Sequence, residues 1–153
     1  MRWIPLALTF ALAGCADEET WTPDGDNADP LNAWRQACVN EINQYRSTIG
    51  VPAYARWTDI EYCSDSEAQE DSETNTAHGA FPKCGESAQN ECPGWGSYED
   101  IIEGCLAMMW AEGPGDFAGH GHYINMSSTN YTRVACGFFE TSDGSIWSVQ
   151  NFQ

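Results

Sequence analysis

Three histidines, and the carboxylates that follow or precede them along the chain, are the residues with chemistry to offer. His78 lies in Ala77-His78-Gly79-Ala80-Phe81, and His122 closes His120-Gly121-His122 ahead of Tyr123. Glu86 stands in Gly85-Glu86-Ser87, and Glu112 comes two residues after Trp110. Imidazole beside carboxylate supports two outcomes. One is a polar network in which each group satisfies the other. The other is a divalent-metal centre. Imidazole is a good Zn(II) donor, carboxylate charge offsets the ion, and an open position holds water. Such a water becomes a nucleophile near neutral pH, with the second Glu as base. No H-E-x-x-H occurs, so the helical signature of many zinc hydrolases is missing. No G-x-S-x-G occurs either, so Ser87 has no nucleophile elbow.

The surroundings rank these residues. Glu112 falls near the C-terminus of an expected helix, where the helix dipole disfavours a carboxylate. A histidine, an arginine or a metal must compensate it, which sets it apart from Glu103 on the same helix. His120 lies two positions before His122 and points the other way if the segment is extended. Met108 and Met109 read as core filler. Trp95, Tyr98 and Tyr123 can stack on sugar rings or line a lipid pocket, but seven tryptophans in a small chain favour packing.

Several elements must position these groups. Leu31, Trp34, Cys38, Ile42, Tyr45 and Ile49 recur at helical spacing, which predicts a helix over 32–48, ended by Gly50 and Pro52. Thr58 with Glu61 reads as a capping box that opens a second helix to about residue 73. Its outer face is acidic, with Ile60, Cys63 and Ala68 inward. Residues 76–96 read as a loop region. Ser97 with Asp100 starts a third helix carrying Ile101, Ile102, Cys105, Met108 and Met109, stopped by Gly113-Pro114-Gly115. Residues 120–126 read as a histidine-rich turn. Strands over 132–140 and 146–152 flank Ser142-Asp143-Gly144-Ser145, a hairpin signal. Helices first and a hairpin last indicate an α+β layered domain.

Met1-Arg2, a short apolar run and Leu12-Ala13-Gly14-Cys15 form a secretory signal over residues 1–15 with a lipoprotein box at Cys15. Residues 16–30 are an acidic, Pro- and Gly-containing linker with too little apolar surface to fold, and residues 31–153 form one domain. The expected location is a membrane-anchored lipoprotein facing the periplasm or the cell exterior. Six further cysteines, an even number, argue for disulfides in an exported chain. Cys38 and Cys63 fall on inward stripes and are expected to pair. Cys84 with Cys92 would close a tight loop around Glu86, and Cys105 with Cys136 would tie helix to strand. With 23 acidic residues against 6 basic ones, nucleic-acid and heparin-like partners are not expected.

The order His78, Glu86, Glu112, His122 and the motifs around them resemble the CAP (SCP) superfamily. So do Cys84-Gly85-Glu86 and Thr132-Arg133-Val134-Ala135-Cys136-Gly137. That superfamily holds cysteine-rich secretory proteins, insect antigens, plant pathogenesis-related proteins and many bacterial secreted proteins. Ser87 departs from the family's usual Asn. The resemblance implies a three-layer α-β-α sandwich with a further short strand near Tyr54-Ala55-Arg56-Trp57. It implies that the four side chains line one cleft, with His78 and His122 as candidate Zn(II) ligands. It links the family to small-molecule, lipid or protein ligands and, less securely, to proteolysis. A metal-assisted hydrolase and a disulfide-stapled module with a vestigial cleft are the alternatives.

Intact-mass analysis of the membrane fraction should find a lipid-modified Cys15 at the mature N-terminus. Cys15→Ser should release the protein into the soluble fraction. An unmodified mature chain beginning elsewhere refutes the anchor.

Overall fold

The computed structural model describes residues 29–153. The expected signal segment with Cys15, and nearly all of the expected linker, lie outside the described residues. Helix α1 spans Asn32–Thr48, the extent that its apolar spacing predicts. Strand β1 is only Ala55–Arg56. A single 3-10 turn, Thr58–Ile60, leads into α2, Glu61–Thr74. Strand β2 is Ala88–Trp95. A π-helical stretch, Asp100–Cys105, runs into α3, Leu106–Ala111. Helix α4 is Phe117–Ser127, and the hairpin is β3, Arg133–Glu140, with β4, Ile146–Phe152.

The sheet order is β1-β3-β4-β2. β1 runs parallel to β3, while β4 runs antiparallel to both of its neighbours. Helix α2 covers one face, packing on β3 and β4; α1, α3 and α4 lie on the other. The result is a three-layer α-β-α arrangement closed by a C-terminal hairpin.

Side-chain alternation divides the strands between two very different layers. Val134, Cys136 and Phe138 of β3, with Ile146 and Phe152 of β4, join Cys38, Ile42, Ile101, Leu106 and Met109 in the main core. The apolar cluster on the opposite face is small: Ala68, Trp147 and Val149, with Phe139 at their margin. The buried stripe of α2 is otherwise polar: Glu61, Ser64, Glu67 and Asp71. Its acidic character is therefore not confined to an outer face. Helix and sheet approach closely because β3 offers Gly137 opposite Ser64.

Several expectations need correction. Thr58 and Glu61 form no capping box. Glu61 instead grips the Arg56 guanidinium at 2.5 and 2.9 Å, a stronger two-point contact than a cap. Residues 76–96 are not all loop: β2 escapes a periodicity reading because Gln89, Asn90 and Glu91 are buried polar residues. Residues 120–126 are helical. Asp116 caps α4 by accepting the Gly119 N–H at 3.1 Å. Ser97 does act at its helix start, accepting the Asp100 N–H at 3.0 Å. All three expected disulfide pairings are replaced. The bridges are Cys38–Cys136, Cys63–Cys84 and Cys92–Cys105. Cys38 faces the sheet rather than α2, so it meets β3. Cys63 is left to the loop that crosses α2, and β2 lays Cys92 against the π-helical stretch.

A Cβ on Gly137 would stand 2.3 Å from the Ser64 carbonyl carbon, a backbone atom that cannot swing away. Gly137→Ala should therefore push α2 off the sheet and cost about 2–4 kcal/mol. A thermal midpoint equal to that of the parent protein refutes this packing.

Candidate functional site

The loop between α2 and β2, residues 75–87, delivers His78. Buried carboxylates hold its backbone. Asp71 accepts the Ala80 N–H at 2.7 Å, Glu67 the Cys84 N–H at 3.2 Å, and Glu91 the His78 N–H at 2.5 Å. The Cys63–Cys84 bridge and the Lys83–Glu70 ion pair add two further ties. His78 itself adopts φ +59°, the left-handed region that costs a side-chain-bearing residue energy. Its Nδ1 donates to Gln89 Oε1 at 2.8 Å, with Glu91 3.7 Å away.

Helix α4 delivers His122. His120 breaks the helix, with φ −136° and ψ 20°, and its Nδ1 donates to the Glu112 and Gly113 carbonyls at 2.6 and 3.0 Å. The break frees N–H groups at the start of the next turn. Glu112 accepts two of them, from His122 at 3.1 Å and Tyr123 at 3.3 Å, and also the His122 Nδ1–H at 2.5 Å. Burial pushes the Glu112 carboxyl up. Hydrogen bonds from the His122 ring and the Tyr123 and His122 backbone, with the His122 charge, outweigh it and hold the group below its ordinary value. The conflict read from the sequence, a carboxylate at a helix C-terminus, is thus resolved by the next helix.

His78, Glu112 and His122 line one cavity of about 200 Å³ with Gln89, Gly119, Gly121 and Asn125. Each imidazole uses Nδ1 on an oxygen acceptor, which leaves Nε2 as the lone-pair nitrogen. Apolar space adjoins on both sides. One recess holds Phe81, Phe117 and Tyr131, the other Trp95, Met108 and Met109.

Glu86 is not among the lining residues. It is buried on the α2 side, where its carboxyl meets Glu67. The carboxylate beside His78 is Glu91, which also borders the second recess with Glu112 and His122. A buried Glu two residues from a buried Gln on one strand was the signal to be found. Reading it required seeing β2. Glu103 is exposed, and Ser87 opens onto the Phe81 recess without a histidine partner among its hydrogen bonds.

Among the described residues, the donor atoms of Glu67, Cys84 and Glu86 lie within 4.8 Å of one another, a spacing that could hold a metal. Cys84 is committed to its disulfide, so that group offers two carboxylates and no thiolate.

The model of the cysteine-rich secretory protein (CAP) family matches residues 39–152. The chain belongs to the CAP family. No curated protein matches it in sequence. Solved structures share the CAP fold at 14% identity. BmVAL-1 superposes with a TM-score of 0.62, covering 87% of this chain and 81% of that one. An outer surface protein from Borrelia burgdorferi gives 0.58, covering 82% and 94%. Venom allergen-like protein 4 of Schistosoma mansoni gives 0.52, covering 80% and 88%. The three disulfides fit an exported CAP protein.

Glu91 gives this CAP site a pH signature. Burial pushes its carboxyl up to about 7; the His78 N–H opposes the shift, and the charges of Asp71 and Glu67 add to it. The folded state therefore holds this proton more tightly than the unfolded chain does. The corresponding stability is complete below about pH 4.5 and is lost as the pH rises through 7. In metal-free protein, Glu91→Gln should remove about 2 kcal/mol of the stability lost between roughly pH 5 and pH 8. Urea unfolding across that range measures it, and a slope unchanged from the parent refutes it.

Proposed function

We propose that this CAP protein is an exported, membrane-anchored lipoprotein that binds a ligand through the His/Glu cleft. A divalent metal such as Zn(II) would be held by His78 and His122. One observation carries the reading: two imidazoles on different elements face one cavity, each with Nδ1 fixed by an oxygen acceptor. Carboxylate or amide partners behind metal-ligating histidines set the tautomer and aim Nε2 forward. Glu112, held ionised, supplies charge to offset the ion. A metal bound there would polarise a ligand oxygen or a water.

The occupant is a small-molecule, lipid or protein ligand. The apolar recesses beside the polar centre support a ligand with both kinds of surface. Membrane anchoring through Cys15 rests on Leu12-Ala13-Gly14-Cys15 and agrees with the description of the Borrelia burgdorferi neighbour as an outer surface protein. No nucleic-acid partner is proposed. Arg35, Arg46 and Arg56 are engaged within the fold, by Asp29 and Asp65, by the Pro52, Met126 and Ser128 carbonyls, and by Glu61.

Metal-assisted hydrolysis is the second reading, favoured by Glu91. A buried carboxyl at about 7 beside a histidine suits a general base.

Calorimetry should show Zn(II) binding near neutral pH that weakens at acid pH as the histidines take up protons. His78→Ala and His122→Ala should each weaken it by about tenfold or more, equivalent to about 1.4 kcal/mol. His120→Ala should weaken it less, because its ring serves the Glu112 and Gly113 carbonyls. No binding by the parent protein leaves the imidazole–carboxylate pairs as a polar network.

A further inference from the structure

Glu86 is 4% exposed, and neither of its carboxylate oxygens receives a hydrogen bond from a donor in the folded chain. It faces Glu67, itself 0% exposed. The donors nearby all aim at Glu67. The Cys84 N–H serves Oε1, while the Gln89 and Asn151 amides serve Oε2 at 3.3 and 2.5 Å. The other charged groups around the pair are Glu70 and Asp71 on α2, Glu91 on β2, and His78 and Lys83 on the loop. β4 presents only the neutral Asn151. Lys83 is exposed and already holds Glu70. Two ionised carboxylates here would have no cation between them and nothing to donate to each other. An ion such as calcium takes six to eight oxygen ligands, more than two enclosed carboxylates supply. One proton satisfies both groups.

We propose that Glu67 and Glu86 share one proton in a single O–H···O bond between them, and that this pair positions His78. The bond ties loop 75–87 to α2. Gln89 relays it to the cleft, since its Nε2 donates to Glu67 at 3.3 Å and to Asn151 at 3.0 Å, while its Oε1 holds His78 at 2.8 Å. Burial lifts the Glu67 carboxyl to about 7, the Asn151 amide opposes this, and Glu86 raises it further. Below that value the proton stays and the loop is closed. Above it, two buried negative charges repel and the loop loosens. This inference stands apart from the ligand and metal readings, because its readout is the loop itself.

Two measurements on the full chain, without added metal, test it. Carbon-13 titration of the side-chain carboxyls should show Glu67 and Glu86 responding together to one step near pH 7, as expected for a coupled pair. Hydrogen exchange, corrected for the intrinsic rate, should show the Ala80 and Cys84 amides losing roughly tenfold protection relative to β3 between about pH 6 and pH 8. Glu86→Gln supplies a permanent N–H to Glu67 and should abolish that loss, whereas Glu91→Gln should preserve it. Independent titration of the two carboxyls overturns the proposal, and that arm needs no variant to fold. So does a Glu86→Gln protein with the parent's pH dependence. Protection restored by calcium or zinc at alkaline pH and removed by chelator would make the pair a cation site instead.

Discussion

Buried carboxylates must find donors, and in this fold the donors come from a loop. The α2 stripe that meets the sheet carries Glu61, Ser64, Glu67 and Asp71 where an apolar stripe would be usual. Burying such groups without partners costs several kcal/mol each. The chain meets that requirement by wrapping residues 75–87 over the end of α2 and turning backbone N–H groups inward. The loop is thereby held in one conformation, and with it the left-handed backbone of His78. The same interaction that makes this face of the sandwich tolerable also sets one wall of the cleft.

The opposite wall follows from a comparable substitution of partners. Glu112 ends one helix and caps the next, because His120 interrupts α4 and frees the N–H groups that the carboxylate accepts. Arg46 and Tyr54 then close the C-terminal end of α4 by donating to the Met126, Ser128 and Asn125 carbonyls. His78 and His122 are thus each fixed through a separate carboxylate-centred network. The cavity between them lies at the edge of the sheet, along β2, where no further strand pairs among the described residues.

Apolar periodicity made α1 and the hairpin legible, since in both the packing follows the alternation of side chains. Helix α2 was legible as a helix but not in its facing, because a rule that turns acids outward fails where a loop supplies donors. β2 was hidden for the same reason: Gln89 and Glu91 point into polar layers, and Pro93-Gly94 sits at a register shift. Losing that strand lost Glu91. Gly85-Glu86-Ser87 drew attention as a motif, yet the chain must run past Ser87 and into β2 before it reaches the strand position beside His78. The cysteine scheme failed where sequence proximity stood in for spatial proximity. Cys38 pairs across 98 residues because α1 packs on β3, a neighbour relation set by the whole fold.

The cations that stabilise the interior leave the exterior short of them. Arg35 and Arg46 are 1% exposed, Arg56 is clasped by Glu61, and the Arg133 guanidinium lies 3.9 Å from the centre of the Trp57 ring. A protease that cuts after lysine or arginine therefore finds one well-exposed side chain among the described residues, Lys83. The peptide bond it would sever joins Lys83 to Cys84, and Cys84 is bonded to Cys63 on the other side of the cut. Cys38–Cys136 spans the same break. A nicked molecule would remain covalently one piece, so cleavage there would change the chain's connectivity without releasing a fragment.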